Sequence, residues 1–145
     1  MIRIETIVVI NRPIDEVFEF VSDVGNNPLW QSSVIEGRQT SAGPLAVGTT
    51  IITTSRYLGL RIKSEWVVVE YEPNKKYVAK SISGRGQAKG SWSFKPVADG
   101  TRVNLVAEMG LSGLFRIFEP IMKIIGQWET EKEFTALKKL LEAHG

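Results

Sequence analysis

The chain has no cysteine and a single histidine in 145 residues. The first absence excludes disulfides and thiolate chemistry, and nothing in the residues points to an oxidising compartment. The second removes the usual general base. His144 is the penultimate residue, and a frayed terminus is a poor place to hold one. Ser-His-Asp and Cys-His catalysis are thereby excluded in their usual forms. Zinc normally needs several Cys or His ligands, and no Asp-x-Asp-type loop offers a calcium or magnesium site, so no metal and no cofactor is expected. Long apolar runs are missing too. None approaches the ~20 residues that span a bilayer, so no integral membrane segment is expected. The first ten residues carry Glu5 and alternate too early for a signal-peptide core, which makes a cytoplasmic location the expectation. An excess of one charge is also lacking. Eighteen basic residues face sixteen acidic ones, for a net charge of +2, too balanced to argue for a nucleic-acid partner.

What is present is ordinary globular material. Hydrophobic residues make up 43% and charged residues 23%, and the length suits one domain over residues 1–145 with a substantial core. Residues 2–11 are rich in β-branched side chains and read as a strand. The period then changes. Ile14, Val17, Phe18 and Val21 fall at i, i+3, i+4 and i+7, one face of a helix. Pro13 suits its first turn, and Asp15 and Glu16 suit the positive end of its dipole. Gly25, Asn26, Asn27 and Pro28 should stop it near Ser22, with one further short turn over residues 28–31.

From Val34 to Met109 the pattern is β. Gly and Pro punctuation separates six runs, roughly 34–40, 48–57, 61–72, 76–83, 88–96 and 101–110, joined by connections short enough for antiparallel hairpins. In the last run Val103, Leu105, Ala107 and Met109 share one face. Residues 61–72 are ambiguous. Lys63, Glu65, Val67, Val69 and Tyr71 share one face, Ile62, Ser64, Trp66, Val68, Glu70 and Glu72 the other, and neither is cleanly polar. The stretch 84–90 looks superficially like a phosphate loop, but it lacks the Gly-Lys-Ser ending and lies between strands, so it reads as a hairpin. From Leu114 the period is helical again to Ala143. The apolar residues up to Trp128 lie on one side, and those from Phe134 to Leu141 lie a third of a turn or more away. Pro120 and Gly126 predict a kink or break, and the two halves should pack on different things.

Several local motifs occur in order: Pro13-Ile-Asp-Glu-Val-Phe-Glu-Phe-Val-Ser-Asp23 followed by Pro28-x-Trp30, then Trp66-Val-Val-Val-Glu70-Tyr-Glu-Pro73. Asp99-Gly-Thr-Arg-Val103 follows, and Gly113-Leu-Phe-Arg-Ile-Phe-Glu-Pro120 leads into the last helix. Together they resemble the helix-grip (SRPBCC) superfamily of START, Bet v 1-like and polyketide cyclase/dehydrase proteins, over essentially the whole chain. The resemblance implies an α+β helix-grip fold: a seven-stranded curved antiparallel sheet around a long C-terminal helix, two short helices after strand 1, and a cavity between sheet and helix. The second half of that helix would be gripped as core and the first half would roof the cavity.

Four tryptophans, Trp30, Trp66, Trp92 and Trp128, can each be plain core, but large aromatics beside a glycine-rich strand also line pockets. With Tyr57 and Met109, the first three are candidate ligand contacts, joined by Phe118, Ile121, Met122 and Ile125 from the helix. Arg56, Tyr57 and Glu65 are the candidate catalytic groups, although a surface charge mix around Lys63 and Glu65 is the blander reading. Three functions follow, in this order. The first is binding of a small hydrophobic molecule such as a lipid, an isoprenoid or quinone, or a polyketide-like compound. The second is a polyketide cyclase/dehydrase, with Arg56 holding an enolate and Glu65 or Tyr57 exchanging protons. The third is a co-chaperone-like interaction module with a filled interior. The apolar stretch 111–122 would otherwise serve a dimer or touch a membrane, and a homodimer is one of the partners expected.

Overall fold

A computed structural model describes residues 2–57, 59–82, 86–111 and 113–143. The chain runs as strand β1 (Ile2–Ile10), helix α1 (Ile14–Ser22), a 3-10 segment (Val24–Leu29), strands β2 (Val34–Gln39), β3 (Thr50–Tyr57), β4 (Leu60–Glu72), β5 (Lys76–Ser81), β6 (Gly86–Val97) and β7 (Gly100–Leu111), a second 3-10 segment (Gly113–Phe118) and helix α2 (Glu119–Ala143). The strands form one curved antiparallel sheet in the order β1-β7-β6-β5-β4-β3-β2. This is the predicted helix grip, with the two short helices after β1. His144 and the tip of the hairpin at residues 83–85 lie outside the described residues, as does the side chain of Tyr57.

Each local departure has a physical cause. The second short helix starts at Val24, earlier than the expected 28–31, because the Asp23 carboxylate accepts from the N–H of Gly25 at 3.0 Å and caps the turn there. α2 starts only at Glu119, so Pro120 lies in its first turn, where a missing N–H leaves no carbonyl unserved. The break expected near Pro120 is the junction between the 3-10 segment and α2. In β4 the register shifts between Val68 and Glu70. The extra residue there, Val69, reverses the alternation, so that Tyr71 joins Trp66 and Val68 on the helix-facing side. That bulge is why neither face of residues 61–72 reads cleanly.

The core lies between the sheet and the two helices. Val17, Phe18 and Val21 of α1 are buried as the helical spacing predicts, with Phe18 edge-on to Phe94 at 5.0 Å and tilted against Tyr71 at 5.8 Å. From α2 the fully buried residues are Phe134 and Leu137. Burial of each such side chain contributes roughly 1.5–3 kcal/mol.

Candidate functional site

A row of inward positions crosses the centre of the sheet in register: Val68 of β4, Ala79 of β5, Gly90 of β6, Ala107 of β7 and Ile4 of β1. Directly opposite residues share a face, so Ala79, Gly90 and Ala107 place three consecutive small residues beneath the helix. Where large side chains would stand, space is left. The result is a partly open hollow of about 180 Å³, walled by Trp66, Tyr77, Trp92, Leu105, Ala88 and Met109. Lys89 and Glu108 also border it, but they oppose each other in the alternate set, which faces away from the helix.

The walls are held rigidly. Trp92 stacks on Tyr77 with ring centres 6.5 Å apart and on Phe134 at 5.7 Å, and Trp30 meets it edge-on at 5.7 Å. Such aromatic pairs contribute about 0.5–1.5 kcal/mol each beyond area burial. Trp66 donates from Nε1 to the Thr53 hydroxyl at 3.1 Å, which fixes its ring at the β3 side. Trp30 is buried behind Trp92, and its Nε1 has no partner among the described residues. The loop after Trp30 is latched to α2 by Glu133, whose carboxylate accepts from the Ser32 N–H at 3.1 Å and from the Ser32 hydroxyl at 3.4 Å. Burial is the main cause that pushes the Glu133 carboxyl above its ordinary value. Tyr77 is the titratable residue on the inward alternation at the hollow, and burial pushes its phenol up to about 12. It stays neutral at physiological pH and can donate or accept a hydrogen bond there without acting as an ionised base.

The sequence-derived candidates are distributed as follows. Trp66, Trp92 and Met109 wall the hollow, and Trp30 supports Trp92 from behind. Phe118, Ile121, Met122 and Ile125 are exposed on the first half of α2 and its approach, and none borders the hollow. Arg56 and Glu65 are on the other face of the sheet. Ile51 opposite Trp66 marks the inward set, whereas Arg56 pairs with Arg61 and Ile52 with Glu65 in the outward set. The structure therefore does not bring Arg56 and Glu65 to the hollow. Sequence reasoning overlooked Tyr77, Ala79, Ala88, Gly90 and Leu105. The signal was available as Ala or Gly at alternate strand positions (Ala88 and Gly90, with Ala79 and Ala107), where large apolar residues are the norm for a buried face. Among the described residues no group of three or more His, Cys, Asp or Glu is placed to hold a metal ion, and no helix is long and apolar enough to cross a membrane.

Sheet order and gripping helix define a helix-grip protein, with an apolar hollow on the inward face of its sheet. Residues 1–142 match the family described as polyketide cyclase / dehydrase and lipid transport, and the chain belongs to it. No curated protein matches it in sequence. Among solved structures, TTHA0849 from Thermus thermophilus superposes with a TM-score of 0.82 at 17% identity, covering 99% of each chain. NE0264 from Nitrosomonas europaea gives 0.77 at 13% identity over 99% of this chain and 96% of that one. The di-domain ARO/CYC BexL from the BE-7585A biosynthetic pathway gives 0.78 at 19% identity, with 98% of this chain covering 47% of BexL. At these identities the likeness is one of fold.

Proposed function

We propose that the chain binds a small hydrophobic molecule, a lipid, isoprenoid or polyketide-like compound, with its buried end in the hollow between sheet and α2. The row Ala79–Gly90–Ala107 is the observation that carries this reading. A sheet face built only to pack a helix would fill those central positions, since interiors are close-packed. The hollow is smaller than the ~300–1,000 Å³ of typical ligand sites. It is partly open, however, and Met109 stands in its wall, so a longer molecule would extend outward past Met109. A carrier needs no ionisable group inside, and among the described residues that border the hollow the inward alternation supplies the neutral phenol of Tyr77.

The second reading, a cyclase, draws support from the family description and from Tyr77, which would hydrogen-bond a ketone or enol oxygen at the wall. Arg56 and Glu65, on the outward face, take no part in it. The interaction-module reading requires a filled interior and is disfavoured by the hollow.

Native mass spectrometry of the purified chain, with extraction of what co-purifies, tests the proposal. A stoichiometric hydrophobic mass is expected, lost in Gly90→Leu. A Cβ at Gly90 meets only Trp92 Nε1 at 3.9 Å and Leu105 Cδ1 at 4.0 Å, so the backbone tolerates a side chain while its bulk occupies the hollow. A ligand at 100-fold its dissociation constant should stabilise the fold by about 2.7 kcal/mol, roughly 5–10 °C in Tm. A clean apo mass together with no thermal shift across a hydrophobic ligand panel would sink the reading.

A further inference from the structure

In the antiparallel order, the β3–β4 turn, the β5–β6 turn and the exit of β7 into the second 3-10 segment all lie at one end of the sheet. Exposed apolar side chains collect at that end. Leu60 is 68% exposed, Leu114 86%, Ile117 73% and Ile124 73%, and Ile62, Ile82, Phe115, Phe118, Ile121 and Trp128 are all exposed as well. Solitary exposed hydrophobics are normal, whereas a gathered set marks an interaction surface. The first turns of α2 are oriented to present it. At 100° per residue, Ile121, Ile124, Ile125 and Trp128 fall within about 100° of arc. Gly126 and Gln127 lie on the opposite side and face β1. A Cβ on Gly126 would come within 2.7 Å of Ile4 Cδ1, and Gln127 donates to the Glu5 carbonyl at 3.1 Å. The helix turns its small and polar side to the protein and its apolar side outward.

The charges at this end are mostly of one sign. Arg56 and Arg61 are direct cross-strand partners, a like-charge juxtaposition that costs stability in isolation. Lys63 follows on the same face, with Glu65 one step farther from the turn, and Arg116 stands within the apolar strip. Among the described residues, Arg56, Arg61, Lys63 and Arg116 form no ion pair. Glu119, the single acid between Gly113 and Trp128, accepts from the Leu111 N–H at 3.1 Å.

We infer that this end of the molecule docks on an anionic lipid surface. Ile117, Ile121, Ile124 and Leu60 would enter the headgroup–acyl boundary, as the apolar side of an interfacial helix does. Arg56, Arg61 and Arg116 would meet the lipid phosphates, each adding about 1 kcal/mol near such a surface. Trp128, with the Lys132 ammonium 4.4 Å from its ring centre, would lie at headgroup depth, where amphipathic aromatics are favoured. A second copy of the chain is the poorer occupant. A two-fold interface sets the same patch against itself and would oppose the unpaired arginines to their own copies. The inference does not depend on what the hollow holds.

Co-sedimentation with vesicles of equimolar phosphatidylcholine and phosphatidylglycerol, against phosphatidylcholine alone, tests it. The chain should pellet with the anionic vesicles and release as salt is added. Ile117→Asp with Ile124→Asp should lower partitioning at least about a hundredfold, since each buried isoleucine accounts for tenfold or more. Arg56→Gln with Arg61→Gln should lower it about 25-fold on anionic vesicles and leave the neutral ones unchanged. Because these side chains are exposed, neither pair of substitutions should lower the melting temperature, and removing the Arg56–Arg61 repulsion should if anything raise it. The inference fails if the wild-type chain stays in the supernatant with both vesicles, or if the aspartate variant pellets as well as wild type. It fails equally if light scattering shows a dimer that the aspartate pair dissociates while neither form binds vesicles.

Discussion

The two halves of α2 differ in the opposite sense to their composition. The first, Glu119 to Trp128, is the more apolar, yet Ile121, Met122, Ile124, Ile125 and Trp128 are all exposed. The second is studded with Lys and Glu, yet it contributes Phe134 and Leu137 at 2% and 0% exposure. Hydrophobicity of a segment does not decide its burial. Attachment does, and attachment begins at Gly126, where the lack of a side chain lets the helix touch Ile4. Beyond it, polar ties hold the helix to β1 and the residue that follows it: Lys138 Nζ donates to the Val9 carbonyl at 2.7 Å, and Glu142, which also accepts from Lys138 at 2.6 Å, accepts from the Asn11 N–H at 2.8 Å. N-terminal to Gly126, the Leu111 N–H donates to the Glu119 carboxylate at 3.1 Å and ties the approach to the sheet.

The contrast can be broken most forcefully in the core. Phe134→Ala or Leu137→Ala should cost about 3–5 kcal/mol, while Ile124→Ala should stay within about 0.5 kcal/mol, read from urea midpoints. Equal losses would mean that the first half is buried in solution. The next effect is at the contact that separates the halves. Gly126→Leu forces a side chain into Ile4 and should cost about 1–3 kcal/mol. Gly126→Ala should be close to neutral, because a gain of about 1 kcal/mol in helix propensity offsets displacement of the flexible Ile4 tip.

The smallest effects sharpen the comparison through pH. Burial holds the Glu133 carboxyl above its ordinary 4.5. The folded chain therefore binds that proton more tightly than the unfolded chain, and stability falls as pH rises from 4.5 through the folded value. Glu142 behaves in reverse. The Lys138 ammonium and then the Asn11 N–H hold it below 4.5, so its contribution is present above 4.5 and lost as pH falls through the folded value. Denaturation midpoints against pH should flatten above 4.5 in Glu133→Gln and below 4.5 in Glu142→Gln. An unchanged profile in both would remove these latches from the account.

Much of the fold was legible because its signals are local. Ile14, Val17, Phe18 and Val21 announced α1 by spacing alone, and Gly and Pro marked every turn of the sheet. The shift of stripe between Trp128 and Phe134 correctly foretold that the halves of α2 pack differently. What the first half does was not legible, since Phe118 to Ile125 look the same whether they roof a cavity or face outward. The side of the sheet that Arg56 and Glu65 take was not legible, because it depends on register between β3 and β4, and Val69 reverses the parity of β4 further along. The hollow was the least legible feature. It consists of missing side chains, and Ala79, Gly90 and Ala107 become one feature only when three strands, distant in sequence, align in register.

By itself, then, the sequence determined the kind and order of the elements, the lack of any thiol, and the family, because periodicity, turn residues and residue types act within a few positions of the chain. Where the space lies, which wall Trp92 and Tyr77 present to it, and why the apolar half of α2 remains outside were decided only in the tertiary structure. Those depend on strand register and on one close approach at Gly126, and both are relations between residues the chain itself keeps far apart.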